Sequence, residues 1–196
     1  MKFNLTTVRR RPSYTEGGWK NPQNLFEEGK YCEGVDGTSQ TLTQYGFSIP
    51  SDATITKVIA RIKGYETLPE NDYTYFGVWD GSEWKLREIP LEGVDSVVEV
   101  DITDLVSWTP DLLNNLKTRL SYTYTIILSP KSKGSPLIDY VEVEATYSTP
   151  YPSSEETTQL MLQTMQQFMS IMFTFMFMIM IISVMSGMIS SVAEAF

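Results

Sequence analysis

Apolar and polar residues alternate in short runs between residues 54 and 148, and each run ends at turn-forming residues. In 54–63, Val58, Ala60 and Ile62 share one face while Lys57, Arg61 and Lys63 take the other. A period of two is the mark of a strand with one buried face. Residues 73–79 are aromatic and β-branched, and Asp80-Gly81 separates them from a second run at 84–89. That spacing predicts a hairpin closed by a primed turn, which Asp-Gly suits because its central residues need positive φ. Val98, Val100 and Ile102 alternate with Glu99 and Asp101, and Leu120, Tyr122, Tyr124, Ile126 and Leu128 form another alternating set. The final run, 138–147, turns Val141, Val143, Ala145 and Tyr147 inward. Thr109 followed by Pro110 is a helix start, with a hydroxyl cap and a first residue that needs no N–H, so one or two helical turns are expected there. The stretch 19–37 carries turn strings and little alternation, and reads as a long ordered loop with an edge strand. About eight short strands without helical crossovers predict an antiparallel sandwich.

Beyond residue 150 the periodicity changes. Pro150 and Pro152 hold the backbone extended, and Ser153 or Ser154 can cap a helix whose first turn carries Glu155 and Glu156. The expected organisation is a β-sandwich head at 1–148 with an N-terminal arm at 1–18, a linker at 149–154, and a hydrophobic, membrane-associated helix at 155–196. The segment 168–189 is apolar on every side and spans about 33 Å as a helix, against about 30 Å for a bilayer core. Phe168, Ile171, Phe173, Phe175, Phe177, Ile179, Ile181, Ile182, Val184 and Ile189 are the expected lipid-facing residues of this span.

Met161, Met165, Met169, Met172, Met176 and Met180 recur three or four residues apart, along one side of a helix. Flexible apolar filler is one reading of that stripe. A self-associating seam is the other, and a ladder of small residues favours it: Ser183, Gly187 and Ser191 recur every fourth residue, a spacing that lets helices approach closely in lipid. The expected helix–helix contact set is Met165, Met169, Met172, Met176, Met180, Ser183, Gly187 and Ser191. No basic residue flanks the span, so its orientation has no signal in the charges. The first eight residues contain no continuous apolar run, so a tail-anchored insertion with 190–196 on the far side is the simplest expectation.

Composition sharpens the division. All fifteen basic residues and all but three of the twenty-four acidic ones precede residue 150, whereas nine of ten methionines follow it. A net charge of −9 opposes general binding to a phosphate backbone. The Arg9-Arg10-Arg11 run is the local exception, read either as a solvated strand end or as a contact for anionic lipid or a partner. Asn4-Leu5-Thr6 fits a glycosylation sequon. The single cysteine, Cys32, excludes an intrachain disulfide, and the lack of any histidine removes the commonest general base and metal ligand. Paired carboxylates drawn from Asp80, Glu83, Glu88, Asp101 and Asp104 are the remaining catalytic possibility, and Asp101 with Asp104 the remaining calcium one. Neither is favoured over ordinary turn and surface carboxylates, so no enzyme activity, cofactor or metal is expected. Trp19, Trp79 and Trp84 are candidates for stacking on a ligand such as a sugar, with core packing as the competing role.

The string Val98-Glu99-Val100-Asp101-Ile102-Thr103-Asp104-Leu105-Val106, then Trp108 and a short helix, resembles a jelly-roll signature. Together with Trp19-x-Asn21-Pro22, Gly46-Phe47-x-Ile49-Pro50 and the closing Val141-to-Tyr147 strand, it is similar to β-sandwich domains of phage and archaeal-virus virion proteins. The similarity covers about 19–148, and the added apolar helix resembles a fusellovirus-like nozzle or end-cap component. The resemblance implies a mainly β, antiparallel jelly-roll-like β-sandwich, to which the residues add one long C-terminal hydrophobic α-helix. It also implies a structural virion protein, anchored in a virion envelope or host membrane and assembled as a homo-oligomer. Its partners would be the lipid membrane, its own copies and other virion proteins, with no sequence-specific nucleic acid. A membrane-tethered carbohydrate-binding attachment domain is the alternative.

Overall fold

Alternating strands with one apolar face must pair and then bury that face, and the order of pairing decides the fold. A computed structural model describes residues 3–68, 72–124, 134–150 and 154–193, with side chains of the last segment described at 158 and 161–185. The chain divides into two units, Met1–Pro150 and Tyr151–Phe196. The first contains β1 (Phe3–Arg10), β2 (Tyr14–Gly17), β3 (Cys32–Glu33), β4 (Ser39–Thr43), β5 (Thr54–Glu66), β6 (Asp72–Trp79), β7 (Trp84–Glu88), β8 (Ser96–Asp101), β9 (Thr118–Tyr124) and β10 (Pro136–Pro150). A 3-10 turn at Pro22–Phe26 and helix α1 (Pro110–Asn114) interrupt them.

All pairing is antiparallel, and the main pairs are nested: β1 with β10, β4 with β9, β5 with β8, β6 with β7. Each pair encloses the next in sequence, as in one long hairpin. Two further pairings, β10 with β5 and β9 with β6, roll that hairpin into two sheets of order β1-β10-β5-β8 and β2-β4-β9-β6-β7. A rolled, nested hairpin in two sheets is the jelly roll, so the fold read from the sequence is the one observed. Strand β2 extends the second sheet, and β3 shares an edge of β10 with β1.

One core lies between the sheets. Val58, Ala60, Ile62, Val141, Val143 and Ala145 come from the first sheet, and Leu42, Phe76, Val78, Leu120 and Tyr122 from the second. The inward positions read from β5 and β10 are therefore the buried ones. Two polar pairs are sealed into the same core with their hydrogen bonds made, as burial requires. Gln40 accepts from the Trp19 amide at 3.2 Å and donates to Thr15 Oγ1 at 2.6 Å, and the Tyr45 and Thr118 hydroxyls lie 2.6 Å apart.

Three expectations change. The N-terminal arm at 1–18 is woven into both sheets, with β1 running from Phe3 opposite Pro150 to Arg10 opposite Val143. Its side chains are mostly exposed, so no apolar stripe announces it. Strand β10 reaches Pro150, so 149 and 150 pair with β1, where a linker was expected; 151–153 lie outside the described residues. The β6–β7 connection is a four-residue loop: Trp79 pairs with Trp84, and the Asp80 amide donates to the Glu83 carbonyl at 3.1 Å. Asp80 holds this wider loop by accepting from the amides of Ser82 at 2.8 Å and Glu83 at 2.9 Å, an Asx turn. Helix α1 starts as expected, with Thr109 Oγ1 accepting from the Leu112 amide at 3.1 Å. Ile126 and Leu128, assigned to the strand after Leu120, lie outside the described residues.

The second unit is one helix, α2 (Ser154–Ala193), of 40 residues. Gly187 does not break it.

Candidate functional site

Helix α2 is the feature that the residues single out. Its segment Met161–Met185, 25 residues of mean hydropathy 2.4, is long and apolar enough to cross a membrane, and none of it is buried within the chain. The sequence has no charged residue between Glu156 and Glu194. Phe168, Phe173, Phe175, Phe177, Ile179 and Ile182 are each 60% or more exposed, and Ile171, Ile181 and Val184 between 45 and 56%. Side chains of this kind stay in water only at a cost of about 25 cal/mol per Å², so the helix calls for an apolar surrounding. The Thr174 hydroxyl already donates to the Ser170 carbonyl at 2.9 Å, which is how a polar side chain is tolerated in lipid.

Advancing about 100° per residue, Met161, Met165, Met169, Met172, Met176 and Met180 fall within about 100° of arc. Ser183 continues that line. The methionines are 47 to 69% exposed. Ile189, Gly187 and Ser191 belong to α2, but their side chains lie outside the described residues.

In the head, the tryptophans separate. Trp19 is 4% exposed and packs in the core beside Leu25 and Cys32. It stacks on no external ligand, because burial of its indole is what seats the 19–37 loop. Trp79 and Trp84 face outward together, with ring centroids 5.5 Å apart and planes tilted 60°. The guanidinium carbon of Arg119 lies 4.7 Å from the Trp84 ring centroid. Arg119 is not among the residues that the sequence singles out. Its position between the inward Thr118 and Leu120 marks it as outward on an alternating strand, and that is the available signal.

The candidate acids do not converge. Asp80 serves its own loop, and its hydrogen bonds to Glu83 and Ser82 hold its pKa at about 2. Asp104 takes both guanidinium nitrogens of Arg87, at 2.8 and 3.0 Å, and this pairing lowers its pKa. Asp101 turns back to the Thr103 amide at 2.9 Å. A cation at Asp101 and Asp104 would meet the Arg87 guanidinium, which contradicts the calcium reading. Among the described residues no group of three or more acidic, cysteine or histidine side chains is placed to hold a metal.

The arginine run is spent inside the head. Arg9 pairs with Glu144 at 2.5 Å, and Arg11 with Glu28 at 2.9 Å and Glu142 at 3.6 Å. Arg11 also stacks 3.9 Å over Tyr140, and Arg10 Nε donates to the Gly46 carbonyl at 3.2 Å. Arg61 joins the ladder through Glu99 at 2.6 Å and Glu144 at 3.4 Å. The run is thus the exposed end of β1, as the strand-end reading has it, with Arg9 and Arg11 held in cross-strand ion pairs.

No family model matches the chain, and no curated protein matches it. Among solved structures it is similar to one of infectious bursal disease virus Gx strain, at 8% identity and a TM-score of 0.37, covering 78% of this chain. It is also similar to a crystal structure of the infectious bursal disease virus VP2 subviral particle, at 7% identity and a TM-score of 0.30, covering 74% of this chain. The matches cover 33% and 32% of those chains, so this chain spans well under two thirds of their length.

Proposed function

We propose that this chain is a membrane-anchored structural protein of a virion, with the jelly-roll head as its assembly module and α2 as its anchor and self-association seam. The carrying observation is the 25-residue apolar segment Met161–Met185, none of which is buried within the chain. A head in which the candidate acids Asp80, Asp101 and Asp104 serve its own turns and an ion pair supports a structural part, and jelly rolls are a common fold of viral shells. The methionine line continuing into Ser183 supports contact between copies, since unbranched thioethers adapt to irregular helix contacts. A ring of such copies would form a nozzle, end-cap or spike base in an envelope.

Mass measurement of the full-length chain in mild detergent tests the assembly. A defined oligomer is expected, and a monomer at every concentration overturns the seam. Antibody labelling of purified enveloped particles tests the location, with particles free of the chain overturning the virion role.

A further inference from the structure

The outer face of the second sheet has an organisation that assembly does not account for. Register places Thr41, Arg119, Gly77 and Leu86 in one row across β4, β9, β6 and β7. Gly77 forms the floor: a Cβ there would come within 2.7 Å of Leu86 Cδ2 and 3.2 Å of Arg119 Cγ. Glycine inside a strand marks such a close approach. Arg119 and Trp84 therefore lean over the same bare backbone, and Trp79 flanks them.

Arg119 differs from the other arginines on strands. Arg9, Arg61 and Arg87 each hold a carboxylate, and Arg10 donates to the Gly46 and Arg9 carbonyls. Among the described residues the Arg119 side chain has neither an ion pair nor a hydrogen bond; its Nε is buried without a partner, and so is the hydroxyl of Ser121, two residues along the same face. Burial alone acts on its charge, lowering its pKa, with no acid to compensate. A partly desolvated cation without an anion is costly, and a guanidinium fork stacked on a ring keeps its edge for a bidentate carboxylate.

We propose that this face binds an acidic saccharide, its carboxylate at Arg119 and a sugar ring on Trp84 and Trp79. Aromatic faces match the apolar C–H face of a sugar ring. The Thr41 hydroxyl, opposite Arg119 on β4, matches its hydroxyl groups. This inference is independent of the virion reading, since the face belongs to the head whatever the helix does.

Titration of the full-length chain in detergent, followed by tryptophan fluorescence and saturation-transfer NMR, tests it with 3′-sialyllactose, tetragalacturonate and neutral lactose as probes. At least one acidic probe should saturate with a Kd at least tenfold tighter than lactose. Arg119→Gln should weaken it at least tenfold, Arg119→Lys by a smaller factor, and Arg10→Gln not at all. Failure of both acidic probes to saturate, or lactose binding as tightly, overturns the proposal. If Arg119→Gln melts early, Arg119→Lys decides: a normally melting Arg119→Lys protein with wild-type affinity also overturns it.

Discussion

Placing two lysines in the middle of α2 should prevent its insertion into a bilayer, and the size of the effect follows from the segment itself. Phe173 and Phe177 lie near the centre of Met161–Met185 and are 63% and 62% exposed. The segment contains ten Leu, Ile, Phe and Val residues, each contributing about −0.3 to −0.6 kcal/mol to insertion near the centre, or about −3 to −6 kcal/mol together. A central lysine costs about 2.5 to 3.5 kcal/mol and also forfeits the phenylalanine it replaces. Phe173→Lys alone should bring insertion close to balance, at a net cost of about 3 to 4 kcal/mol. Adding Phe177→Lys raises the cost to about 6 to 8 kcal/mol and exceeds the whole gain. Alkaline carbonate extraction of membranes, paired with vesicle flotation, measures the outcome. Wild type should remain in the pellet, the single variant should divide between fractions, and the double variant should be extracted. A double variant that stays fully embedded, or a wild-type chain that is extracted, would refute the reasoning. Phe177 lies about 60° outside the methionine arc and Phe173 about 20° outside it, and extraction with flotation reads lipid partition directly.

Further outcomes follow from the same residues. Met172→Cys should give disulfide-linked dimers in membranes, whereas Thr174→Cys, about 160° round the helix, should not; equal cross-linking would remove the seam. Cys32 is fully buried, and burial with the neighbouring Glu33 raises its pKa to about 12, so Ellman's reagent at pH 8 should leave it unmodified until the head unfolds. Phe76→Ala should destabilise the head by about 3 to 5 kcal/mol, read as a lower urea midpoint. The Asp80, Asp101 and Asp104 pKa values are all depressed in the folded chain. They contribute stability above about pH 4, and it is lost as pH falls towards 2. An acid melt should show that loss, and Asp80→Asn should flatten it while leaving stability at pH 7 nearly unchanged, since an asparagine also caps the turn.

The alternation of β5 and β10 was legible because one face of each is apolar and the other charged. Strand β1 was not, because an edge strand with Thr7, Arg9 and other exposed side chains has no apolar stripe to read. Inward Gln40, Thr74 and Thr118 break the pattern of their strands, and Gln40 and Thr118 are tolerated only through partners distant in sequence, Thr15 and Tyr45. Asp139 shows the same limit: it is fully buried beside a register shift in β10, where Lys63 meets it at 2.7 Å and the Gly29 amide at 3.0 Å. The tryptophans were ambiguous by type, and only the surroundings of each separated buried Trp19 from outward Trp79 and Trp84. The apolar helix, a purely compositional signal, was fully legible, and so was its methionine line. Arg119 was hidden because a cation without a partner is a fact about neighbours.

The nested topology has a mechanical consequence. Strand β10 is the last of the head and leads, through residues 151–153, into α2. It is gripped on both sides, by β5 from Pro136 to Ser148 and by β1 from Val143 to Pro150. A pull on the helix is therefore delivered to the end of a strand that is hydrogen-bonded to two neighbours. Many ladder hydrogen bonds must shear at once, where a strand at a free edge would unzip one at a time. Strand β1 acts as a clamp on β10, and a head so built can carry load applied at its C-terminal end without peeling open.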